Sequence, residues 1–432
     1  MARAQGRKKQ SPSVPPTRAT LGNVAIIGLG RVGLPLALYL ADRGVEVHGV
    51  DSNRNLVNAL LASRMPFLEE GALPVLRRTL LKTFFPSTTY EAVCGCRYII
   101  LTLGTPVDEH LNPVFDQIEE AIRALLPELR RGQAIILRST VSPGTTEHVA
   151  RFISAQTGLR SGRDVFVAFC PERIAEGRSL QELPIIPQII GAQEPQAHRL
   201  AKRLFRLITP KILRTDCLLA ELAKLFCNMH RYIDFAIANE FMMLAHQHGR
   251  DIHHLVRLVN QDYPRRGLKS PGLSGGPCLY KDGMFLLSHS PFTELISVSW
   301  RVNESVPAHL IDQIRKLTSL DGKRVAILGL GFKRDIDDTR NSLSFKAKKL
   351  FRAQGAEVVL SDPLVPSTPM AEALRGAHVV FLAMNHSAYR RLTPRKLRAL
   401  VGRNAIVCDV WNLLRSDRTV FRLDEICKRP RR

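Results

Sequence analysis

NVAIIGLGRVGLPLALYLADRGVEVHGVD, residues 23–51, decides the fold of this 432-residue chain. It runs from a short β-rich stretch through a glycine turn and an amphipathic helical stretch to a second β-rich stretch, one βαβ half. In GLGRVG (Gly28, Leu29, Gly30, Arg31, Val32, Gly33) the glycines let the backbone approach a pyrophosphate, and the following helix N-terminus supplies partial positive charge. Asp51 ends the second stretch 18 residues past Gly33, where a carboxylate accepts from ribose hydroxyls and repels a 2′-phosphate. NAD is therefore expected over NADP, although Arg54 weakens that discrimination.

Outward from this stretch, YIILTL (98–103), AIILRS (134–139) and VFVAF (165–169) continue the alternation, so a parallel sheet is expected over 23–210. The opening motif recurs as KRVAILGLGF at 323–332 and GAEVVLSD at 355–362, without the third glycine. Between the halves, residues 217–248 contain neither Pro nor Gly and meet a stop at Gly249, which predicts one helix of roughly 45 Å. Its apolar residues nearly encircle it, which predicts burial between domains or subunits and a homodimer built around it. A further helical region is expected from about 288 to 317. The fold class is α/β, with two Rossmann-like doubly wound parallel-sheet domains joined by a long central helix. The expected divisions are a basic tail (1–22), a first nucleotide-binding domain (23–210), a central helical domain (211–320) and a second Rossmann-like domain (321–425).

A hydrophobic content of 45% excludes wholesale disorder. No apolar run approaches the roughly 20 residues of a membrane span; Val24–Leu40 is broken by Arg31, Pro35 and three glycines. The first twenty residues carry Arg3, Arg7, Lys8, Lys9 and Arg18 with no acid, and lack the apolar core of a secretory signal. Eight cysteines without a CxxC pair predict no metal site and a reducing cytoplasm. The formal charge of +23 is scattered apart from that tail and the closing KRPRR, with no aromatic stripe, which argues against nucleic acid and for anionic substrates.

Candidate chemistry lies at later strand ends and on the central region. Thr105 and Thr140 fall where ligands bind in such folds, and CPERIAEG brings Glu172, Arg173 and Glu176 to another strand end. Lys224 and Asn228 share a helix face, with Arg231 three residues on. Cys278 sits in GGPCLYKDG beside Lys281 and Asp282, which could tune its thiol. Each alone reads as a surface charge, a solvated helix face or a small core cysteine. Together they supply a nucleophile, a cation for an oxyanion and a carboxylate base beside a hydride acceptor.

GLGRVGLPLA, GTPVDE, STVSPGTTE, CPERIAEG, ELAKLFCN, GGPCLYKD and GFKRDIDDTRNS, in this order, resemble the motifs of the UDP-glucose/GDP-mannose dehydrogenase family over residues 22–425. The resemblance implies a four-electron oxidation of a UDP-hexose primary alcohol, consuming two NAD and passing through a thiohemiacetal and a thioester on Cys278. It implies oxyanion stabilisation by Lys224 and Asn228, water placement by Asp282 and Thr140, and acid or base work by Glu172. It assigns NAD contacts to the glycine turn, Asp51, Thr105, Thr140, Glu176, Lys281 and Arg340. UDP-sugar contacts fall on Phe332, Lys333, Arg173, Arg231, Arg265 and Gly275, with UDP on the second Rossmann-like domain. The CPER form is closer to enzymes of UDP-N-acetylmannosamine or UDP-N-acetylglucosamine than to those of UDP-glucose. Departures are Pro277 before the cysteine, Tyr280 and Gly283 flanking Lys281 and Asp282, Cys227 before Asn228, Leu343, and Val114-Phe115. Three alternatives stand beside it: a UDP-glucose 6-dehydrogenase, a two-electron hydroxyacid dehydrogenase, which leaves Cys278 and the second half unexplained, and an inactive basic binding scaffold.

Overall fold

A computed structural model describes residues 21–105, 107–108, 114, 116–265, 267–287, 293–402 and 404–427. Most of the expected basic tail, Phe115, residues 288–292 of the expected helical region and the closing 428–432 lie outside the described residues.

The first sheet holds β1 (Asn23–Ile27), β2 (Val47–Val50), β3 (Phe84–Ser87), β4 (Cys96–Leu101), β5 (Ala134–Leu137), β6 (Phe166–Phe169), β7 (Gln188–Gly191) and β8 (Ile212–Thr215), in the order β3-β2-β1-β4-β5-β6-β7-β8. All neighbours pair in parallel except β6 and β7, and Val24 of β1 faces Val47 on one side and Tyr98 on the other. Strand order reverses beside β1, so the glycine turn after β1 opens into the crevice where such sheets take ligands. Helix Gly33–Asp42 covers this edge with nine of its ten residues buried. β3, β7 and β8 were not legible as strands: FFPS carries a proline, and QIIG and ILRT are four residues without alternation. β8 joins this sheet although it lies just past residue 210, the expected boundary of the first domain.

The second sheet holds β9 (Arg324–Leu328), β10 (Glu357–Ser361), β11 (Val379–Leu382), β12 (Ile406–Cys408) and β13 (Val420–Arg422), in the order β10-β9-β11-β12-β13, with β13 antiparallel. The first half is thus repeated in reduced form, with its switch point between β9 and β11.

The central helix spans Cys217–Gln247, 31 residues, opened by Asp216 accepting from the Leu219 amide at 2.8 Å. It ends at Gly249 in the left-handed region, φ 63°, which a side chain would resist. Helix Glu294–Arg315 packs beside it, and the two are stitched by Asn239 Nδ2 donating to Asn303 Oδ1 at 2.9 Å. Asn239 also exchanges hydrogen bonds with the backbone of Gly272, so the Gly/Pro-rich segment between the helices is laid along their junction. The helix is not apolar-buried all round: Leu218, Leu219, Phe226, Ile237, Phe241 and Leu244 stand exposed on it. No described helix is long and apolar enough to cross a membrane.

Candidate active site

Cys278 begins the short turn Leu279–Asp282, its carbonyl accepting from the amides of Lys281 at 3.1 Å and Asp282 at 2.9 Å. The turn is seated on an apolar platform of Leu225, Met229, Tyr232, Phe285 and Leu286. A Cβ at Gly283 would collide with Ile296 and the Met229 sulfur, so this departure from the family pattern lets the turn lie close against two helices. Asp282 is completely buried and held from both sides: Asn228 Nδ2 donates to one oxygen at 2.6 Å and Lys281 Nζ to the other at 3.1 Å. Lys281 Nζ also donates to Thr105 Oγ1 at 3.1 Å, which brings the turn to the edge of the first sheet. A helix face, a strand end and a loop more than 170 residues apart in sequence therefore meet around one thiol.

Solvent reaches Cys278, yet protein atoms crowd its sulfur. Burial, reinforced by the carboxylates of Asp282 and Glu176, raises the thiol to about 11 against the pull of Lys281 and Lys224. At neutral pH it is protonated and needs a base before it can act as a nucleophile. Two carboxylates from the CPERIAEG loop were expected nearby, and the structure treats them differently. Glu172 is consumed: it forms a close ion pair with buried Arg138 and accepts from the amides of Arg173 at 2.7 Å and Ile174 at 3.0 Å. Glu176 keeps one buried oxygen without a partner among the described residues, and burial with the nearby negative charge of Asp338 raises its carboxyl above the usual range.

The glycine turn has the shape of a diphosphate cradle. A Cβ on Gly33 would strike the Gly28 carbonyl oxygen, Gly28 has φ 92°, and a Cβ on Gly30 would point into open space. Asp51 receives the amides of Leu29 at 2.7 Å and Asn53 at 2.9 Å, and each carboxylate oxygen retains accepting capacity for a ribose. These residues fit NAD.

The two halves close on each other over this turn. Arg31 donates to Asp337 at 2.7 Å and lies 3.3 Å from Asp338, while Arg340 grips Asp338 at 2.5 Å and lies 3.9 Å from Glu176. Lys333 Nζ donates to the Glu176 carbonyl at 3.0 Å. Phe332 stacks over Gly276, and a Cβ at Gly275 would collide with the Asn341 carbonyl, so the cysteine loop and the second sheet share a close backbone contact. Of the other expected contacts, Thr140 is half-buried, Arg173 is turned onto the Pro187 carbonyl, and Arg231 and Arg265 are exposed. The expected absence of a metal cluster concerns a feature that no group of His, Cys, Asp or Glu among the described residues forms.

Asp337, Asp338 and Arg138 were not singled out by sequence. The acids of RDIDDTR carried a signal, since an acid run facing a nucleotide site needs cations, and Arg31 is one. Arg138 carried none, because a lone arginine after a strand reads as surface.

Three family models match the chain: the NAD binding domain of the UDP-glucose/GDP-mannose dehydrogenase family at 22–209, its central domain at 219–305 and its UDP binding domain at 326–416. The UDP-N-acetyl-D-mannosamine dehydrogenase of Pyrococcus horikoshii is 32% identical over 91% of this chain and 96% of its own length. An NDP-N-acetyl-D-galactosaminuronic acid dehydrogenase of Ralstonia nicotianae is 30% identical over 88% and 94%. The solved Pyrococcus horikoshii UDP-D-ManNAc dehydrogenase superposes with a TM-score of 0.85, covering 90% of this chain and 96% of that one. A UDP-glucose dehydrogenase structure from Pyrobaculum islandicum gives 0.81 at 27% identity, covering 92% and 96%. With its glycine cradle, its buried lysine–aspartate–asparagine cluster beside Cys278 and its two sheets closed over them, the chain belongs to the UDP-glucose/GDP-mannose dehydrogenase family, NAD-dependent dehydrogenases of nucleotide sugars.

Proposed function

We propose that the substrate is a UDP-N-acetylhexosamine whose C6 primary alcohol is oxidised to the carboxylate. The observation that carries this reading is the convergence of Lys224, Asn228, Lys281, Asp282 and Glu176 on Cys278, together with relatives named for N-acetylated sugars. Bound NAD supplies the hydride acceptor for both oxidations, Lys333 and Phe332 hold the nucleotide sugar, and Arg340 serves the cofactor side across the cleft.

Lys224 and Asn228 would carry the developing oxyanion at C6 when the alcohol gives up its first hydride and proton. The Cys278 sulfur then bonds to the aldehyde carbon, its proton passing to a base, and loss of a second hydride leaves a thioester. Water placed by Asp282 and Thr140 adds to the thioester carbon, the C–S bond breaks, and the thiol regains a proton. In sum two hydrides and three protons leave while one water oxygen enters. Covalent capture keeps the reactive aldehyde while one cofactor is exchanged for the next.

The proton acceptor in this scheme is Glu176 rather than Glu172. Glu176 has an oxygen unpartnered among the described residues and a raised carboxyl in electrostatic reach of the sulfur, whereas both oxygens of Glu172 already accept from Arg138 or from backbone amides. Thr105, Lys281 and Asp51 remain candidates for the cofactor side, and Arg173, Arg231, Arg265 and Gly275 for the sugar side.

A homodimer, with the exposed apolar face of the central helix as its interface, and a cytoplasmic setting that keeps Cys278 reduced complete the proposal. Light scattering would report twice the monomer mass, and a monomer would reject the interface. Oxidation of UDP-glucose is the second reading, favoured by the Pyrobaculum islandicum structure. Purified protein is to be incubated with NAD and UDP-N-acetylmannosamine, UDP-N-acetylglucosamine, UDP-glucose or GDP-mannose, with Cys278→Ala alongside. Two NADH per sugar, lost in the variant, is the expected result; one NADH with an unaffected variant would overturn the mechanism.

A further inference from the structure

The guanidinium of Arg138 is fully buried at the carboxyl end of β5, where no ligand contact is expected of it. Its Nη1 donates to the Cys170 carbonyl at 3.1 Å and to Gln188 Oε1 at 2.9 Å, its Nη2 is paired with Glu172, and its plane lies 5.1 Å from the Phe205 ring. It thereby spans the ends of β5, β6 and β7. Burying such a pair rarely adds stability, because desolvation of both ions offsets their attraction. What the pair does supply is a fixed location for Glu172, whose other oxygen gathers the next two amides.

From Glu172 the chain forms a strap, residues 172–178. It is held from one side by Glu182 on the Ala175 amide at 2.7 Å and by Glu69 on the Gly177 amide at 3.1 Å. Across the strap lies the second half of the protein: Lys333 donates to the Glu176 carbonyl, and Gly177 lies against Ile336. The strap is thus the piece of the first domain that presents a carboxylate to Cys278 and a carbonyl to the nucleotide-sugar side.

We propose that Arg138, which touches neither substrate nor cofactor, is a positioning residue: its ion pair with Glu172 sets where the strap holds Glu176 and, through the Glu176 carbonyl, where Lys333 stands over the nucleotide. This rests on the reading of Lys333 and Glu176 above.

The test uses full-length Arg138→Lys, Arg138→Met and Arg138→Met/Glu172→Gln. The readouts are thermal melting, calorimetric affinity for UDP alone, and initial rates with UDP-N-acetylmannosamine and NAD. Arg138→Lys keeps the charge and stays within about twofold of the parent. Arg138→Met strands a buried carboxylate, so it melts earlier, weakens UDP about tenfold and raises the sugar KM similarly, while the NAD KM changes less than twofold. The double variant removes the stranded charge and regains the melting temperature, yet keeps the weak UDP binding, because the anchor is still gone. Recovery of UDP affinity together with stability would show a merely structural pair and overturn the proposal, as would parental UDP affinity in a folded Arg138→Met. If Arg138→Met does not fold, the double variant decides by the same criterion. Glu176→Gln separates the two readings: if it still turns over, the base assignment falls, while the UDP affinities continue to judge Arg138.

Discussion

Arg31 in the glycine turn and Asp337 after the second sheet's first strand lie 306 residues apart and meet at 2.7 Å. The same carboxylate takes the Leu68 amide at 2.9 Å, so Asp337 is the point where the second half fastens onto the first. Replacing it by Asn keeps the shape and removes the charge. The pair is partly exposed, worth about 1 kcal/mol, so Asp337→Asn should raise the nucleotide-sugar KM about fivefold and leave kcat near the parent value. Initial rates with both substrates varied would decide it, and an unchanged KM would mean that the clasp does not shape the cleft.

Cofactor choice is assigned to Asp51. Asp51→Ser should raise the NAD KM about tenfold and allow turnover with NADP, because the ribose hydroxyls exchange a charged two-oxygen acceptor for a neutral hydroxyl and the 2′-phosphate loses its repulsion. Turnover that remains confined to NAD would place the discrimination elsewhere.

Asp282 offers a stability test inside the site. With no exposure, and Asn228 and Lys281 as its side-chain partners among the described residues, it cannot accommodate a second negative charge beside it. Asn228→Asp should cost about 3 kcal/mol at pH 8, with much of the loss recovered at pH 5 as the pair takes up a proton. Denaturant titration at both pH values measures this; equal losses at both would argue that Asn228 is not facing Asp282 in solution.

The Cys278 thiol, pushed up to about 11, should be alkylated slowly by iodoacetamide at pH 7 and faster with each step toward pH 10. Lys224→Ala removes a cation that lowers it and should slow alkylation further at every pH. Mass-spectrometric rates that plateau near pH 8 would show a thiol already activated in the free protein.

Acid sensitivity is expected from His246 and His309, whose rings share a 2.9 Å hydrogen bond between the two central helices. Burial, then the neighbouring His246 and Lys316, lowers His309 to about 4 from its ordinary 6.5. Between these values the unfolded chain takes up a proton that the folded one refuses, so stability falls as pH drops from about 6.5 toward 4. Asp409, raised by burial to about 6, contributes the opposite slope, but does so equally in a His309→Gln variant. The variant should show a shallower fall in melting temperature over this interval; parallel curves would exclude His309 as the source.

Much of the fold was legible because its signals are local. GLGRVG with Asp51 marked one half, KRVAILGLGF the other, and a proline- and glycine-free run ending at Gly249 gave the central helix to within a residue of Cys217–Gln247. β3, β7 and β8 were hidden because each is only four residues long, too short to show a period, and β3 also carries a proline. At the site, Cys278, Lys224, Asn228, Lys281 and Asp282 could be gathered from motifs. The different surroundings of Glu172 and Glu176 could not, because they depend on which carboxylate Arg138 reaches, and that is settled by the ends of three strands. The partners of Arg31 are likewise invisible in sequence, since nothing local brings Asp337 and Asp338 to the opposite half.

The central helix carries Asn228 close to its middle and Met242 and Ala245, packed into the second sheet's core, near its C-terminal end. The 14 residues from Met242 back to Asn228 span about 21 Å, so a tilt of about three degrees about that end moves Asn228 by about 1 Å, a displacement large enough to spoil a reacting geometry. The helix is therefore a lever as much as a support. A repacking mutation or a small molecule lodged under Met242 would act at a distance as a throttle on turnover, without entering the cleft at all.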